Sequence, residues 1–106
     1  MGLCAELLVR GQAVVLADPS GGSFTAAGDF DRLLPVSGET FPILAQIDPC
    51  GDVTVPSGDM PALASEVALL FKRAEHGPER RGLLRLQALV RAGQEEPDSV
   101  LRFSGD

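Results

Sequence analysis

The hydrophobic positions in the first half of the chain form short runs separated by turn residues. Residues 3–9 and 13–17 are apolar, and the connection Arg10-Gly11-Gln12 between them predicts a β-hairpin. Residues 41–47 form another apolar run and predict a third strand. Pro42 is expected at the start or the edge of that strand, because proline has no backbone N–H to donate.

Two further segments complete the predicted sheet. Residues 53–55 follow a turn, are stopped by Pro56, and predict a short extension of the third strand. Residues 99–103 alternate in side-chain character and predict a last strand. The predicted order of elements is therefore β-β-(turn)-β-α-α-β.

The apolar spacing between residues 59 and 93 predicts two amphipathic helices. For the first helix, Asp59 is the expected N-cap, Pro61 lies in the first turn, and Gly77 is the expected end. The second helix is predicted over residues 78–92, from Pro78 to a stop at Gly93. The two apolar stripes consist of Met60, Leu63, Val67, Leu70 and Phe71, and of Leu83, Leu86, Leu89 and Val90.

Residues 18–40 predict one long connection with little regular structure. Asp18 to Ser23 is rich in turn residues and closes the hairpin as a loop. Asp29 is the expected cap of one helical turn at residues 30–34, which Pro35 would end. Connections of this length in compact domains are often functional.

These elements predict a single α+β domain over residues 1–106. The expected architecture is a small, mostly antiparallel sheet with two amphipathic helices packed on one face. The predicted core joins a helix set to a sheet set, which are Leu63, Val67, Leu70, Phe71, Leu83, Leu86 and Val90 on the helices and Leu7, Val14, Ile43, Leu44 and Phe103 on the sheet.

The charge of the chain is unevenly distributed. The net charge is −6, which disfavours sequence-independent binding of nucleic acid because phosphates are repelled. Residues 72–94 nevertheless contain six bases and two acids, whereas residues 1–71 contain nine acids and two bases. The pattern indicates either a solvated helix face or a basic docking surface for an acidic partner. Arg80, Arg81 and Arg85 are the candidate partner-binding residues on that helix.

A second candidate site lies in the turn after the third apolar run. Asp48, Cys50 and Asp52 are spaced by two residues and could converge if the turn curls. The set mixes hard carboxylates with a soft thiol, and it matches neither a zinc site nor a calcium loop, so no metal ligands are predicted. The simpler interpretation is a turn in which Asp48 caps nearby backbone N–H groups. The three residues are accordingly predicted to bind a protein partner.

No complete catalytic set or cofactor motif is found. Cys50 and His76 could be paired as a nucleophile and its base, but a lone histidine before Gly77 more often interacts with a helix C-terminus. Gly21-Gly22-Ser23 lacks the lysine that completes a phosphate-binding loop. We therefore expect no cofactor.

Four phrases of the chain are MGLCAELLV, ADPSGG, FPILAQIDPCGDVTV and LRFSGD. Together they resemble a group of small uncharacterised actinobacterial proteins. That group carries an Ile-Asp-Pro-aromatic-Gly-Asp-Thr phrase, matched here by Ile47, Asp48, Pro49, Gly51 and Asp52. Cys50 stands in place of the aromatic residue and Val53 in place of Thr, which argues against an essential thiol. The resemblance implies no particular reaction.

The sequence favours a non-catalytic interaction module of accessory, regulatory or immunity type, with a protein partner. A small metal-dependent hydrolase using Asp48, Asp52 and Glu66 is the alternative, and a nucleic-acid accessory protein is the second alternative. A cytoplasmic location is expected because two cysteines make no disulfide framework and no signal or membrane-spanning segment is found. Formation of a homodimer is left open.

Overall fold

The computed structural model describes residues 3–34, 36–48, 50–75 and 77–105, and its central feature is an antiparallel sheet. Four strands follow in the spatial order β2-β1-β7-β6, and a fifth, β5, also pairs with β1. A separate two-stranded sheet is formed by β3 and β4. The strands are β1 Cys4–Val9, β2 Gln12–Ala13, β3 Leu16–Ala17, β4 Ser23–Phe24, β5 Ala26–Ala27, β6 Asp52–Pro56 and β7 Ser99–Ser104.

Strand β7 lies between β1 and β6 and pairs with both. Leu101 is opposite Leu7 on one side and Val55 on the other, and Phe103 is opposite Ala5 on β1. These residues are buried and share one face of the sheet, whereas their sequence neighbours point to the other face. The alternating pattern predicted for residues 99–103 is therefore confirmed.

The β1–β2 hairpin has a two-residue loop. Leu8 pairs with Ala13 and Val9 with Gln12, which leaves Arg10 and Gly11 in the turn. Both have positive φ, 54° and 82°, as a turn compatible with the right-handed strand twist requires. The predicted hairpin between β1 and β2 is confirmed. Residues 13–17 do not form one strand, however, because Ala13 ends β2, whereas Leu16 and Ala17 form β3, which pairs with β4.

Two α-helices follow β6, namely α1 Met60–Leu70 and α2 Gly77–Gln94. Asp59 occupies the N-cap position of α1, although its side chain forms no capping hydrogen bond. The expected end of α1 at Gly77 is wrong. The α-helix ends at Leu70, a 3₁₀ turn covers Phe71–Arg73, and Gly77 is the first residue of α2.

The predicted third strand over residues 41–47 is wrong. This segment contains a 3₁₀ helix, Leu44–Gln46, and pairs with no strand of the described chain. Phe41 and Leu44, three positions apart, are the buried residues, which is the spacing of a tight helical turn rather than of a strand. The carboxylate of the buried Glu66 on α1 accepts hydrogen bonds from the backbone N–H groups of Ile43 at 3.1 Å and Leu44 at 2.9 Å. These bonds stabilise the start of the turn.

Asp29 does not cap the helical turn that follows it. The turn exists as a 3₁₀ helix over Asp31–Leu33, but Phe30 is its N-cap residue and no side chain caps it. Asp29 instead has a positive φ of 64°. Aspartate tolerates this conformation better than most residues, so Asp29 redirects the backbone at this point. The expected stop at Pro35 lies outside the described residues.

Helix α2 touches the backbone of that same segment. A Cβ atom added to Gly82 would overlap the carbonyl oxygen of Gly28 and would lie 3.3 Å from the carbonyl carbon of Asp29. Only a residue without a side chain permits this approach. Gly82 therefore lets α2 pack directly on the chain between β5 and the 3₁₀ turn.

The helices pack on one face of the sheet, and the predicted α+β fold class is confirmed. Helix α2 contacts β1, β5 and β7, and α1 packs against α2. Nine of the twelve predicted core residues are buried, and Val14, Ile43 and Phe71 pack against them while partly exposed. No helix within the described part of the chain has the length and apolar character needed to cross a membrane.

We expect Gly82→Ala to destabilise the protein by about 2 kcal/mol or more, although alanine is the better helix former by about 1 kcal/mol. The added methyl group would overlap the Gly28 carbonyl, so α2 would have to move. Urea denaturation followed by circular dichroism measures the change. Gly58→Ala is the control, because nothing lies within 4 Å of the place that its added Cβ would occupy. Equal stability of Gly82→Ala and wild type would contradict the close approach.

We expect Glu66→Ala to cost about 1–3 kcal/mol, because two backbone N–H groups lose their acceptor in a buried place. Alanine favours helix, so helix propensity cannot explain such a loss. Glu66→Gln keeps one acceptor oxygen and should lose less. The free energy of unfolding of both variants, measured in urea, tests this order, and the reverse order would refute the capping role of Glu66.

Candidate functional site: the outer face of the second helix

Helix α2 has a buried inner face and a basic outer face. The inner residues pack in the core and include Leu83, Leu86, Leu89 and Val90. On the outer face, Arg80, Arg81 and Arg91 are exposed, and Leu84 lies among them with 40% of its surface accessible. Because the inner face is fixed by packing, the backbone positions of the outer residues are fixed relative to one another.

An ion pair connects α2 to the loop between β3 and β4. Nη2 of Arg85 contacts Oδ2 of Asp18, and the Asp18 side chain is almost covered. The Arg85 guanidinium also lies 5.7 Å from the centre of the Phe24 ring. Arg85 therefore connects the β3–β4 hairpin to α2, and of the three predicted docking arginines it is the one already engaged by a carboxylate within the described chain.

Asp18 organises its own loop. Its Oδ1 accepts hydrogen bonds from the backbone N–H of Ser20 at 3.0 Å and from the Ser20 hydroxyl at 2.9 Å. Its backbone N–H donates to the carbonyl of Gly22 at 2.9 Å. The bond from the Ser20 backbone contributes most to lowering the pKa of the Asp18 carboxyl, and the Ser20 hydroxyl and the Arg85 charge lower this pKa further against the opposing effect of burial.

A small pocket lies between this loop and α2. Its volume is about 110 Å³, and its lining is almost entirely carbon. Asp18, Pro19 and Ser20 line it from the loop, and Arg81 and Leu84 line it from the helix. The exposed Leu84 and the predicted docking residue Arg81 therefore both line this pocket.

Two other cations of the basic segment lie over aromatic rings. The guanidinium of Arg80 is 5.7 Å from the centre of the Phe71 ring, and that of Arg73 is 4.9 Å from the centre of the Phe41 ring. Such contacts contribute about 0.5–1 kcal/mol at exposed sites. Arg80 is nevertheless exposed, so it remains able to contact a partner.

In the second predicted site, the turn at residues 48–52, the Asp48 side chain is hydrogen-bonded within the turn itself. Oδ1 of Asp48 accepts a hydrogen bond from the backbone N–H of Cys50 at 2.9 Å, and its carbonyl accepts one from Gly51 at 3.2 Å. This is the turn geometry expected from the simpler interpretation of the sequence. Cys50 is exposed, and Pro49 lies outside the described residues.

Asp52 belongs to a different surface from the arginines. It begins β6 opposite Ser104, and the alternation of the strand places both on the sheet face turned away from the helices. No group of three or more histidine, cysteine or acidic side chains arranged to hold a metal ion occurs within residues 3–34, 36–48, 50–75 and 77–105. Among the described residues, no salt bridge joins Asp48 or Asp52 to the arginines of α2.

The remaining chemically reactive residues do not extend the site. Glu66, named as a third residue of the alternative hydrolase site, holds the backbone of residues 43 and 44. His76 lies outside the described residues, so the expectation that it interacts with a helix C-terminus rather than with Cys50 stays a prediction. Burial and the nearby Glu6 carboxylate raise the pKa of the Cys4 thiol, which favours its unreactive protonated form.

The charge pattern of the sequence identifies the arginines of α2, but it does not indicate that the Asp18–Ser20 loop belongs to a site. The Asp-Pro-Ser-Gly-Gly pattern signals a turn, and Asp18 can be expected to bond its own backbone. Nothing in the local pattern indicates that Arg85 is the partner of Asp18, because the two residues meet only in the folded chain.

Comparison of the chain with protein-family models, with curated proteins and with solved structures finds no match.

The lowered pKa of Asp18 predicts how its contribution to stability depends on pH. A carboxyl with a lowered folded-state pKa stabilises the fold above its ordinary pKa of about 3.8 and loses that effect as the pH falls through the lowered value. We expect Asp18→Asn to lower the urea midpoint by a constant amount between roughly pH 5 and pH 7, and by a shrinking amount below about pH 4.

Carbon-detected NMR titration of the Asp18 carboxyl provides a direct control. In Arg85→Gln the pKa of Asp18 should rise towards its ordinary value yet stay below it, because the hydrogen bonds from Ser20 remain. A difference between wild type and Asp18→Asn that persists unchanged down to about pH 2 would contradict the assigned ion pair and hydrogen bonds.

Proposed function

We propose that this protein is a non-catalytic cytoplasmic interaction module that binds an acidic surface of a protein partner through the outer face of α2. The observation behind the proposal is the grouping of exposed Arg80 and Arg81 around the exposed Leu84 on a helix whose other face is fully packed. Arginine residues around an accessible apolar residue are typical of protein interfaces.

Charge supports a protein partner over nucleic acid. The chain as a whole carries −6, so a polyanion as long as a nucleic acid would meet repulsion beyond a local basic face. A short acidic surface of a folded protein or peptide can contact Arg80 and Arg81 alone. Complementary charge of this kind increases the association rate and helps to select the partner.

The alternative of a metal-dependent hydrolase has less support from the geometry. Asp48 already accepts a hydrogen bond within its own turn, and Asp52 lies on the sheet face away from the helices. The described part of the chain holds no group of three or more histidine, cysteine or acidic side chains placed to hold a metal ion, whereas a hard cation prefers six or more oxygen ligands.

The proposal predicts that reversing two charges abolishes capture of a specific partner. The wild-type protein and the double variant Arg80→Glu/Arg81→Glu would be immobilised and incubated with lysate of the source organism, and retained proteins would be identified by mass spectrometry. We expect a partner retained by wild type to be lost with the variant, and its retention by wild type to weaken as salt rises from about 50 to 300 mM.

The matched control is Arg10→Glu/Arg32→Glu, which has the same overall charge and changes two exposed arginines that are not part of α2. Thermal melting of both variants should stay within a few degrees of wild type, because exposed charge contacts contribute little to stability. If the α2 variant and the control retain the same proteins in the same amounts as wild type, the proposal is wrong.

A further inference from the structure

We propose that the pocket beside Leu84 holds one aliphatic side chain of the partner, and that acidic residues on either side of this side chain contact Arg81 and Arg80. The inference depends on the proposed function and deepens it, because it defines the chemistry of the segment that binds. The ligand is a short peptide segment with a leucine-like residue flanked by aspartate or glutamate.

The lining of the pocket favours an apolar occupant. Pro19 and Leu84 provide carbon surface from its two sides, and Arg81 belongs to the lining on the helix side. The volume of about 110 Å³ is somewhat below the roughly 150 Å³ of a cavity known to accept benzene, which suits a branched aliphatic side chain. A phosphate or sugar would find few polar partners there.

The pocket is held in shape before any ligand arrives. Asp18 is fixed by Arg85 and by Ser20, and the loop is closed further by the bond from the Asp18 N–H to Gly22. On the other side, Gly82 seats α2 on the backbone of residues 28 and 29. Preorganisation lowers the conformational entropy that binding would otherwise cost.

The local charges favour an acidic ligand although Asp18 lines the pocket. The carboxylate of Asp18 is neutralised by Arg85 and is almost covered, so the ion pair contributes little net field. Arg81 and Arg80 remain exposed and carry no carboxylate partner within the described part of the chain. The surface around the opening is therefore positive.

Titration of the ¹⁵N-labelled protein with three synthetic heptapeptides tests this assignment. The first peptide has a central Leu and six flanking Asp or Glu residues, the second replaces the Leu with Ser, and the third keeps the Leu and has Asn or Gln flanks. We expect the first to shift the amide signals of Ser20, Arg81 and Leu84 most strongly. The other two should bind about tenfold more weakly, because each lacks either apolar burial or charge contacts.

Leu84→Asp is the variant that should abolish binding of the first peptide by placing a charge beside the pocket. Leu69→Asp is its matched control, because Leu69 is comparably exposed, at 38%, and lies on α1. Both variants should remain folded, since both positions face solvent, and their ¹⁵N spectra report this directly. Equal weakening of binding by the two variants would overturn the assignment.

The outcomes separate this inference from the proposed function. Equal binding of the Leu and Ser peptides, with shifts at Arg80 and Arg81 alone, would overturn the pocket and leave charge-driven docking in place. Equal binding of the first and third peptides would overturn the acidic flanks. Absence of any shift at millimolar peptide would overturn the inference, whereas the proposed function is decided independently by lysate capture with the charge-reversed variant.

Discussion

The close approach of α2 to the backbone of residues 28 and 29 is the constraint on which the rest of the structure depends. Gly82 has no side chain, so the helix can rest on the chain between β5 and the following 3₁₀ turn. That contact sets the height of the helix above the sheet and lets Leu83 and Leu86 reach the core. The position of the outer face, with Arg81 and Leu84, is therefore determined by the same contact that holds the interior together.

Much of the fold could be predicted from the sequence where the pattern is long and periodic. The two helices follow from apolar residues three and four positions apart, and β7 follows from alternation over residues 99–103. Segment 41–47 could not be predicted in this way, because a short apolar run is compatible with a strand or with a tight turn. The carboxylate of Glu66, which stabilises the turn, comes from a helix far along the chain.

The candidate site was predictable only in part. The excess of arginine in residues 72–94 identifies the basic helix from the order of charges alone. The separate roles of the arginines are not encoded locally: Arg85 meets Asp18, Arg80 covers Phe71, and Arg81 stays exposed beside the pocket. In the turn at residues 48–52, the spacing of Asp48, Cys50 and Asp52 resembles a set of ligands in the sequence. In the structure, Asp48 accepts a hydrogen bond from the backbone N–H of Cys50 and stabilises the turn.

The central position of β7 has a consequence for the kinetics of folding. Glu6 on β1 and Arg102 on β7 form a hydrogen-bonded ion pair although they are 96 positions apart in the chain. Closing so large a loop costs entropy before any cross-strand contact compensates for it, and topologies of this kind fold more slowly than local ones. The α1–α2 pair, by contrast, forms between neighbouring segments. We therefore expect the helical hairpin to form early, and the insertion of β7 between β1 and β6 to limit the rate.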